Sequence, residues 1–148
     1  MKQRVAIYPG SFNPFHEGHR RMVSRGLQFF DKVVLAVGVN PEKPSKDTEA
    51  VLDALKKANA YGINNGCIEV ISFSGLLADF INKENENVRR FHGVLRGLRN
   101  AQDFEFEKTQ LYWNQDLKID IPTMFVIADR DIAHVSSSAI RLIEKMQK

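Results

Sequence analysis

One cysteine, Cys67, stands in 148 residues. That excludes an internal disulfide framework and a cysteine-based metal site, and fits a reducing cytoplasm. Long apolar runs are missing as well: nothing approaches the roughly 18 residues of a membrane span. The apolar run in "MKQRVAIYPG" ends at Pro9, too short for a signal peptide. Charge of one sign is not in marked excess, with 21 Lys and Arg against 18 Asp and Glu and a net charge of +3. Such a balance suits a protein handling small anions better than one with a nucleic-acid surface. Arg20, Arg21 and Arg25 cluster, but on a helix they read as its solvated side. No repeat, linker or low-complexity tract is found, so one domain over residues 1–148 is expected. Neither G-x-G-x-x-G nor G-x-x-x-x-G-K-[ST] occurs, which removes the dinucleotide fingerprint and the P-loop.

Present instead is a regular alternation of strand and helix signals. The apolar runs "RVAIY" (4–8), "KVVLAVGV" (32–39), "IEVISF" (68–73), "FHGVLRG" (91–97) and "TMFVIA" (123–128) read as strands. The second is nearly continuous, as in a strand covered on both faces. Helical spacing marks 18–30, 48–61, 75–85, 103–117 and 136–148. Five strand–helix pairs predict an α/β protein with a doubly wound, mostly parallel five-stranded sheet. Ligands of such sheets sit beyond the carboxyl ends of the strands. The unusual residues crowd into the segments at those ends: "YPGSFNPFHEGH", "GVNPEKPSK", "SFSGLL", "LRGLRNAQDFEFE" and "ADRDIAHVSSS".

The first segment puts a glycine turn and Ser11 before a helix whose first turn holds His16 and His19. "HEGH" is one residue short of the H-E-x-x-H zinc helix, and no third ligand stands at metal spacing beside it, so no metal ligand is expected. Free N–H groups and the positive end of the helix suit phosphate. The bland alternative is two histidines capping a helix.

"YPGSFNPFHEGH" resembles the T-x-D-P-x-H/T-x-G-H signature of the nucleotidylyltransferase superfamily. "FSGLLADF" (73–80), "LRGLRNAQDFEFE" (95–107) and "VSSSAIR" (135–141) resemble its pantetheine-phosphate adenylyltransferase branch, in order and over nearly the whole chain. The resemblance implies a Rossmann-like nucleotidylyltransferase fold and AMP transfer from ATP to 4'-phosphopantetheine, giving dephospho-coenzyme A and pyrophosphate, with Mg²⁺. By position it implies that Ser11 and His19 lie at the transferred phosphate, and that Phe12 and His16 lie in the ATP site. Lys43 matches the lysine on both substrates' phosphates, Arg96 the arginine of the acceptor phosphate, and Arg99 that of the ATP phosphates. Glu107 matches a carboxylate at the nucleotide. Leu76 and Leu77 match positions whose backbone receives the pantetheine arm, and Ser136, Ser137 and Ser138 the serines of the triphosphate. The resemblance further implies a cytoplasmic homohexamer, coenzyme A or dephospho-coenzyme A as product or feedback ligand, and no nucleic-acid or membrane partner.

Each residue also has a plain reading: Lys43 as a loop lysine, Glu107 as surface charge paired to Lys108 or Arg99, Leu76 and Leu77 as a packed helix face, Trp113 as packing. The chain departs from the branch at His16, where threonine is usual, and at Asn13, where aspartate is usual. "PSKDTEAVLDALKKA" lacks the usual F-[ST]-L-E-E-R, and "DIAHV" lacks the usual aromatic–serine pattern. Two alternatives stay open: a nucleotidylyltransferase with another acceptor such as nicotinate mononucleotide, and a non-catalytic nucleotide- or coenzyme-A-binding relative.

Overall fold

The computed structural model describes residues 2–40, 42 and 45–147, apart from the side chains of Ser45, Lys46 and Ser137. Along the chain run β1 (Val5–Gly10), α1 (Glu17–Gly26), β2 (Lys32–Val39), α2 (Ser45–Ala58), α3 (Ala60–Asn64) and β3 (Ile68–Ser74). They are followed by α4 (Leu77–Glu84), β4 (Gly93–Leu98), α5 (Ala101–Asp116), β5 (Thr123–Ile127) and α6 (Ser137–Met146). The strands form one sheet in the order β3-β2-β1-β4-β5, with every pairing parallel. This is the doubly wound α/β sheet expected from the alternation.

Period-two patterning explains the two-sided core. Ala6 and Tyr8 of β1, with Val33, Leu35 and Val37 of β2, face the side covered by Met22 and Val23 of α1 and Leu55 of α2. Val5 and Ile7, with Val34 and Ala36, face the side covered by Ile81 of α4 and Phe91. Fully burying one such aliphatic or aromatic side chain contributes about 1.5–3 kcal/mol, so these two strands anchor the molecule. Among the described residues, no helix is long and apolar enough to cross a membrane.

Three boundaries differ from the sequence reading. β1 runs on through Pro9 and Gly10, pairing with Ala36 and Val37 of β2. A central strand tolerates proline here because β1 pairs with β4 at Ala6 and Ile7 and then diverges from it. The helix over 18–30 ends at Gly26, where the side chains of Leu95 and Val33 approach too closely for a Cβ. The helix over 48–61 is two helices, broken where buried Asn59 turns its side-chain amide back to the Leu55 carbonyl at 2.8 Å.

The strand order reverses direction between β1 and β4, and the divergence beyond Ile7 opens a crevice at their carboxyl ends. That is the switch point at which ligands of doubly wound sheets bind.

Candidate active site

The β1–α1 turn is built around Phe12. Its backbone lies in the left-handed region at φ 48°, yet its ring is 3% exposed. The strain is about 1–2 kcal/mol, and burial of the ring, about 2–3 kcal/mol, outweighs it. The ring sits against Gly10, where a Cβ would come within 3.0 Å of it, and meets Tyr8 and His19 edge-on at 5.1 and 4.9 Å. Glycine at position 10 is thus a packing requirement.

His16 and His19 cap α1 reciprocally. The Gly18 N–H donates to His16 Nδ1 at 3.0 Å, and the His16 N–H donates to His19 Nδ1 at 3.1 Å. A Cβ on Gly18 would lie 2.8 Å from His16 Cε1, so glycine makes room for this cap. With Nδ1 accepting in both rings, Nε2 is the donor of each neutral imidazole. The rings stack at 3.7 Å between centroids, and His19 also stacks on Phe15 at 5.4 Å. Burial, and then the neighbouring His16, push the His19 pKa down to about 3; burial, and then the charge of Arg99, lower that of His16. At neutral pH both are therefore uncharged N–H donors. The plain capping reading and the phosphate reading hold together: the caps fix the tautomer that can donate.

The crevice is a cleft of about 310 Å³ lined by Ser11, Phe12, His16, His19, Arg96, Arg99, Ser136 and Ser138, all read as candidates from sequence. At α6, Ser136 caps the helix by accepting from the Ala139 N–H at 3.0 Å. Five arginines line the cleft (21, 25, 96, 99 and 141) against one carboxylate, Asp129, a balance suited to a polyanion. Arg21 and Arg25, read from sequence as the solvated side of a helix, line the cleft instead, and Asp129 and Arg141 join them because only the fold brings α1, α6 and the segment after β5 together. Arg141 donates to the Asn13 carbonyl and to Ser138 Oγ, tying α6 to the β1–α1 turn. Arg99 is aimed by Asp103, which accepts from its backbone N–H at 2.9 Å and from Nε at 3.0 Å.

A second cavity of about 660 Å³ opens on the other side of Arg96. Leu76, Leu77, Phe106, Glu107, Trp113, Leu117 and Phe125 line it. Two of the sequence readings are corrected here. Glu107 pairs with neither Lys108 nor Arg99. It is 8% exposed and takes a two-pronged hydrogen bond from Arg96, at 2.8 Å from Nε and 2.6 Å from Nη2, so it lines this cavity and not the cleft. Trp113 is not packed but 62% exposed, and neither Phe104 nor Phe106 is buried. Leu76 is also exposed, while Leu77 packs on the core. The α4 N-terminus beside them has no side-chain cap, so its first N–H groups lack a side-chain acceptor there. Arg96 lines both spaces. Its Nη1 donates to the Pro9 carbonyl at 3.0 Å, so three of its five N–H donors are engaged and two remain. Lys43 and the Ser137 side chain lie outside the described residues.

A polyanion cleft at the switch point, with neutral histidine donors at a helix end, is the site of a protein that handles phosphate groups. A sequence model described as cytidylyltransferase-like matches residues 7–143. The chain is 37% identical over 143 residues to the phosphopantetheine adenylyltransferase of Clostridium botulinum (strain Alaska E43 / Type E3), covering 96% of this chain and 85% of that protein. It is 38% identical over 143 residues to the phosphopantetheine adenylyltransferase of Cytophaga hutchinsonii, covering 96% and 90%. The fold is similar to that of Plasmodium falciparum nicotinic acid mononucleotide adenylyltransferase complexed with APC, with a TM-score of 0.67, 11% identity and 95% and 83% coverage. The chain belongs to the cytidylyltransferase-like family and, within it, to the phosphopantetheine adenylyltransferases.

Proposed function

We propose that the protein transfers AMP from ATP to 4'-phosphopantetheine, releasing pyrophosphate and forming dephospho-coenzyme A. The observation that carries this is the pair of spaces sharing Arg96: an arginine-rich cleft for a triphosphate and an apolar cavity for an arm. A nicotinate acceptor is compact and polar, and has no need of the wall formed by Leu76, Leu77, Phe106, Trp113 and Leu117.

The reaction needs no protein nucleophile. An oxygen of the acceptor phosphate attacks the α-phosphorus of ATP, the new P–O bond forms, and the bond to the β-phosphate oxygen breaks in line with it. The protein holds two anions together and stabilises charge on the α-phosphoryl oxygens. His19 donates from Nε2 to one of those oxygens, Ser11 holds the phosphate beside it, and Lys43 takes the phosphate role that the resemblance implies. Arg99, His16 and Ser136 to Ser138 take the triphosphate, together with the free N–H groups of α6. Arg96 gives its two remaining donors to the acceptor phosphate, while Glu107 keeps the guanidinium in place.

Mg²⁺ arrives as part of the ATP substrate. Among the described residues no group of three or more His, Cys, Asp or Glu is arranged to hold a metal ion, and Asp129, Asp131, Asp103 and Glu107 each accept from an arginine. Magnesium commonly binds through substrate phosphates and water, and neutralises the leaving pyrophosphate. The aromatic surface of α5, with Tyr112 56% and Trp113 62% exposed, supports assembly of several copies. A hexamer, as in the resembled branch, and cytoplasmic work are the corresponding proposals. The testing experiment measures pyrophosphate release from Mg·ATP with 4'-phosphopantetheine, and in parallel with nicotinate mononucleotide. Release with the first alone is expected; release with the second alone would reassign the acceptor.

A further inference from the structure

The β5–α6 loop, residues 128–136, supplies Ala128, Asp129, Ile132, Val135 and Ser136 to the cleft, which Met22 of α1 and Gly97 and Leu98 of β4 also line. The phosphate roles proposed above fall on Ser11, His16, His19, Arg96, Arg99, Ser136 and Ser138 of this lining. The apolar side chains of Met22, Leu98, Val126, Ile132 and Val135 remain for the flat, uncharged part of a nucleotide. The distance between this loop and α1 therefore sets the width of the base slot.

One arginine of α1 joins the helix to the loop. Arg21 Nη1 donates to Asp129 Oδ2 at 3.0 Å and to Asp131 Oδ1 at 2.8 Å, and its Nη2 donates to Asp131 Oδ2 at 3.0 Å. Its Nε reaches Glu17 Oε1 at 3.3 Å, which braces the side chain on its own helix. Arg25 Nη2 holds the other oxygen of Asp129 at 3.1 Å. A single exposed ion pair contributes little, but a guanidinium fork engaging two carboxylates, one of them through both oxygens, fixes direction as well as distance. The loop has little else of this kind. Residues 128–136 contribute none of the buried residues of either core cluster. Its backbone is tied to β4 where the Ala128 N–H donates to the Leu98 carbonyl at 2.7 Å. "DIAHV" also lacks the aromatic residue usual at this point of the resembled branch. A loop held by charge and not by core packing transmits its disturbance to the ligand slot before it transmits it to stability.

We propose that Arg21, with Asp129 and Asp131, is a strap across the base end of the nucleotide cleft, and that Arg21 is a positioning residue for ATP. This rests on the assignment of that cleft to ATP. The strap closes the slot around the base without touching the reacting phosphates, so it acts on nucleotide affinity and not on the chemical step.

The test compares Arg21→Met, Asp131→Asn and the pair of them with the unaltered protein. KM is measured for ATP and for 4'-phosphopantetheine separately, ATP is titrated calorimetrically, and thermal unfolding is recorded. Each single substitution is expected to raise KM and Kd for ATP about fivefold, with kcat and the acceptor KM within about twofold. The pair is expected to be no worse than either single change, because both break the same strap. Unchanged ATP affinity in the single variants would overturn the proposal, as would additive losses in the pair, or an equal loss for both substrates with a lowered unfolding temperature. The ATP titration reads the strap whether or not 4'-phosphopantetheine is the acceptor, so failure of the strap and failure of the acceptor assignment are separate results.

Discussion

Around the nucleotide cleft the walls are fixed by bonds within the chain: two histidines cap one helix, Ser136 caps another, and Arg141 joins α6 to the β1–α1 turn. Across Arg96, the wall of the second cavity is made of side chains left in water, with Phe106 61% and Trp113 62% exposed. α5 shows why. Among its described residues the buried one is Glu107, and the helix has no apolar stripe of its own. The first space needs directed hydrogen bonds to charged oxygens, which lose their value when the donors move. The second needs apolar contact, which tolerates adjustment. Rigidity has been placed where charge develops, and Arg96 joins the two because Glu107 and the Pro9 carbonyl hold it from both sides.

The sharpest way to separate the two spaces is His19→Ala. It is expected to lower kcat by about 10²–10³ with ATP and acceptor affinities nearly unchanged, as for a donor to developing charge. Steady-state kinetics with calorimetric titration reads this; equal losses in rate and ATP binding would make His19 a ground-state ligand. Removing the shared wall should blur the distinction. Glu107→Ala frees a partly buried guanidinium and is expected to cost about 2–3 kcal/mol in urea unfolding, while weakening the acceptor more than ATP. Loss confined to ATP would contradict the placement of Glu107 on the second cavity. Gly18→Ala drives a methyl into the His16 ring and is expected to remove its cap, costing about 1 kcal/mol and lowering kcat with no effect on acceptor binding.

A further contrast is the pH dependence of stability. His19 has a folded pKa near 3 against an ordinary 6.5, and His16 is lowered in the same direction. Between those values the unfolded chain binds more protons, so this stabilisation is complete above pH 6.5 and is lost as pH falls toward 3. The unfolding free energy of the wild-type protein, measured in urea, should fall faster below pH 6.5 than that of His19→Ala, by up to about 1 kcal/mol per pH unit. The same shift means that His19 adds no limb to the kcat profile between pH 5 and 8. Parallel stability curves would show that His19 titrates normally.

Much of this was legible in the sequence because doubly wound sheets place function at strand ends. The alternation of runs gave five strands, and "YPGSFNPFHEGH" and "VSSSAIR" marked two helix starts that do meet in one cleft. The end of β1 was placed before Pro9 because tolerance of proline depends on β4 diverging from β1, a tertiary fact. The break at Asn59 was hidden because its side chain bonds Leu55, four residues back, and so mimics a continuing helix. The Arg96–Glu107 pair joins a strand to a helix eleven residues on, and Arg21 meets Asp131 across 110 residues. No local spacing announces either. Trp113 was taken for packing because tryptophan usually is, whereas α5 turns it outward.

The measurement to make first is a calorimetric titration of 4'-phosphopantetheine into the protein, alone and saturated with a non-hydrolysable ATP analogue. Two spaces meeting at Arg96 should hold both ligands at once, so the acceptor is expected to bind one per chain in both titrations, with affinity equal or higher in the presence of the analogue. Loss of acceptor binding in the analogue-saturated protein would mean that the two ligands compete for one space, and the division of labour across Arg96 would be wrong.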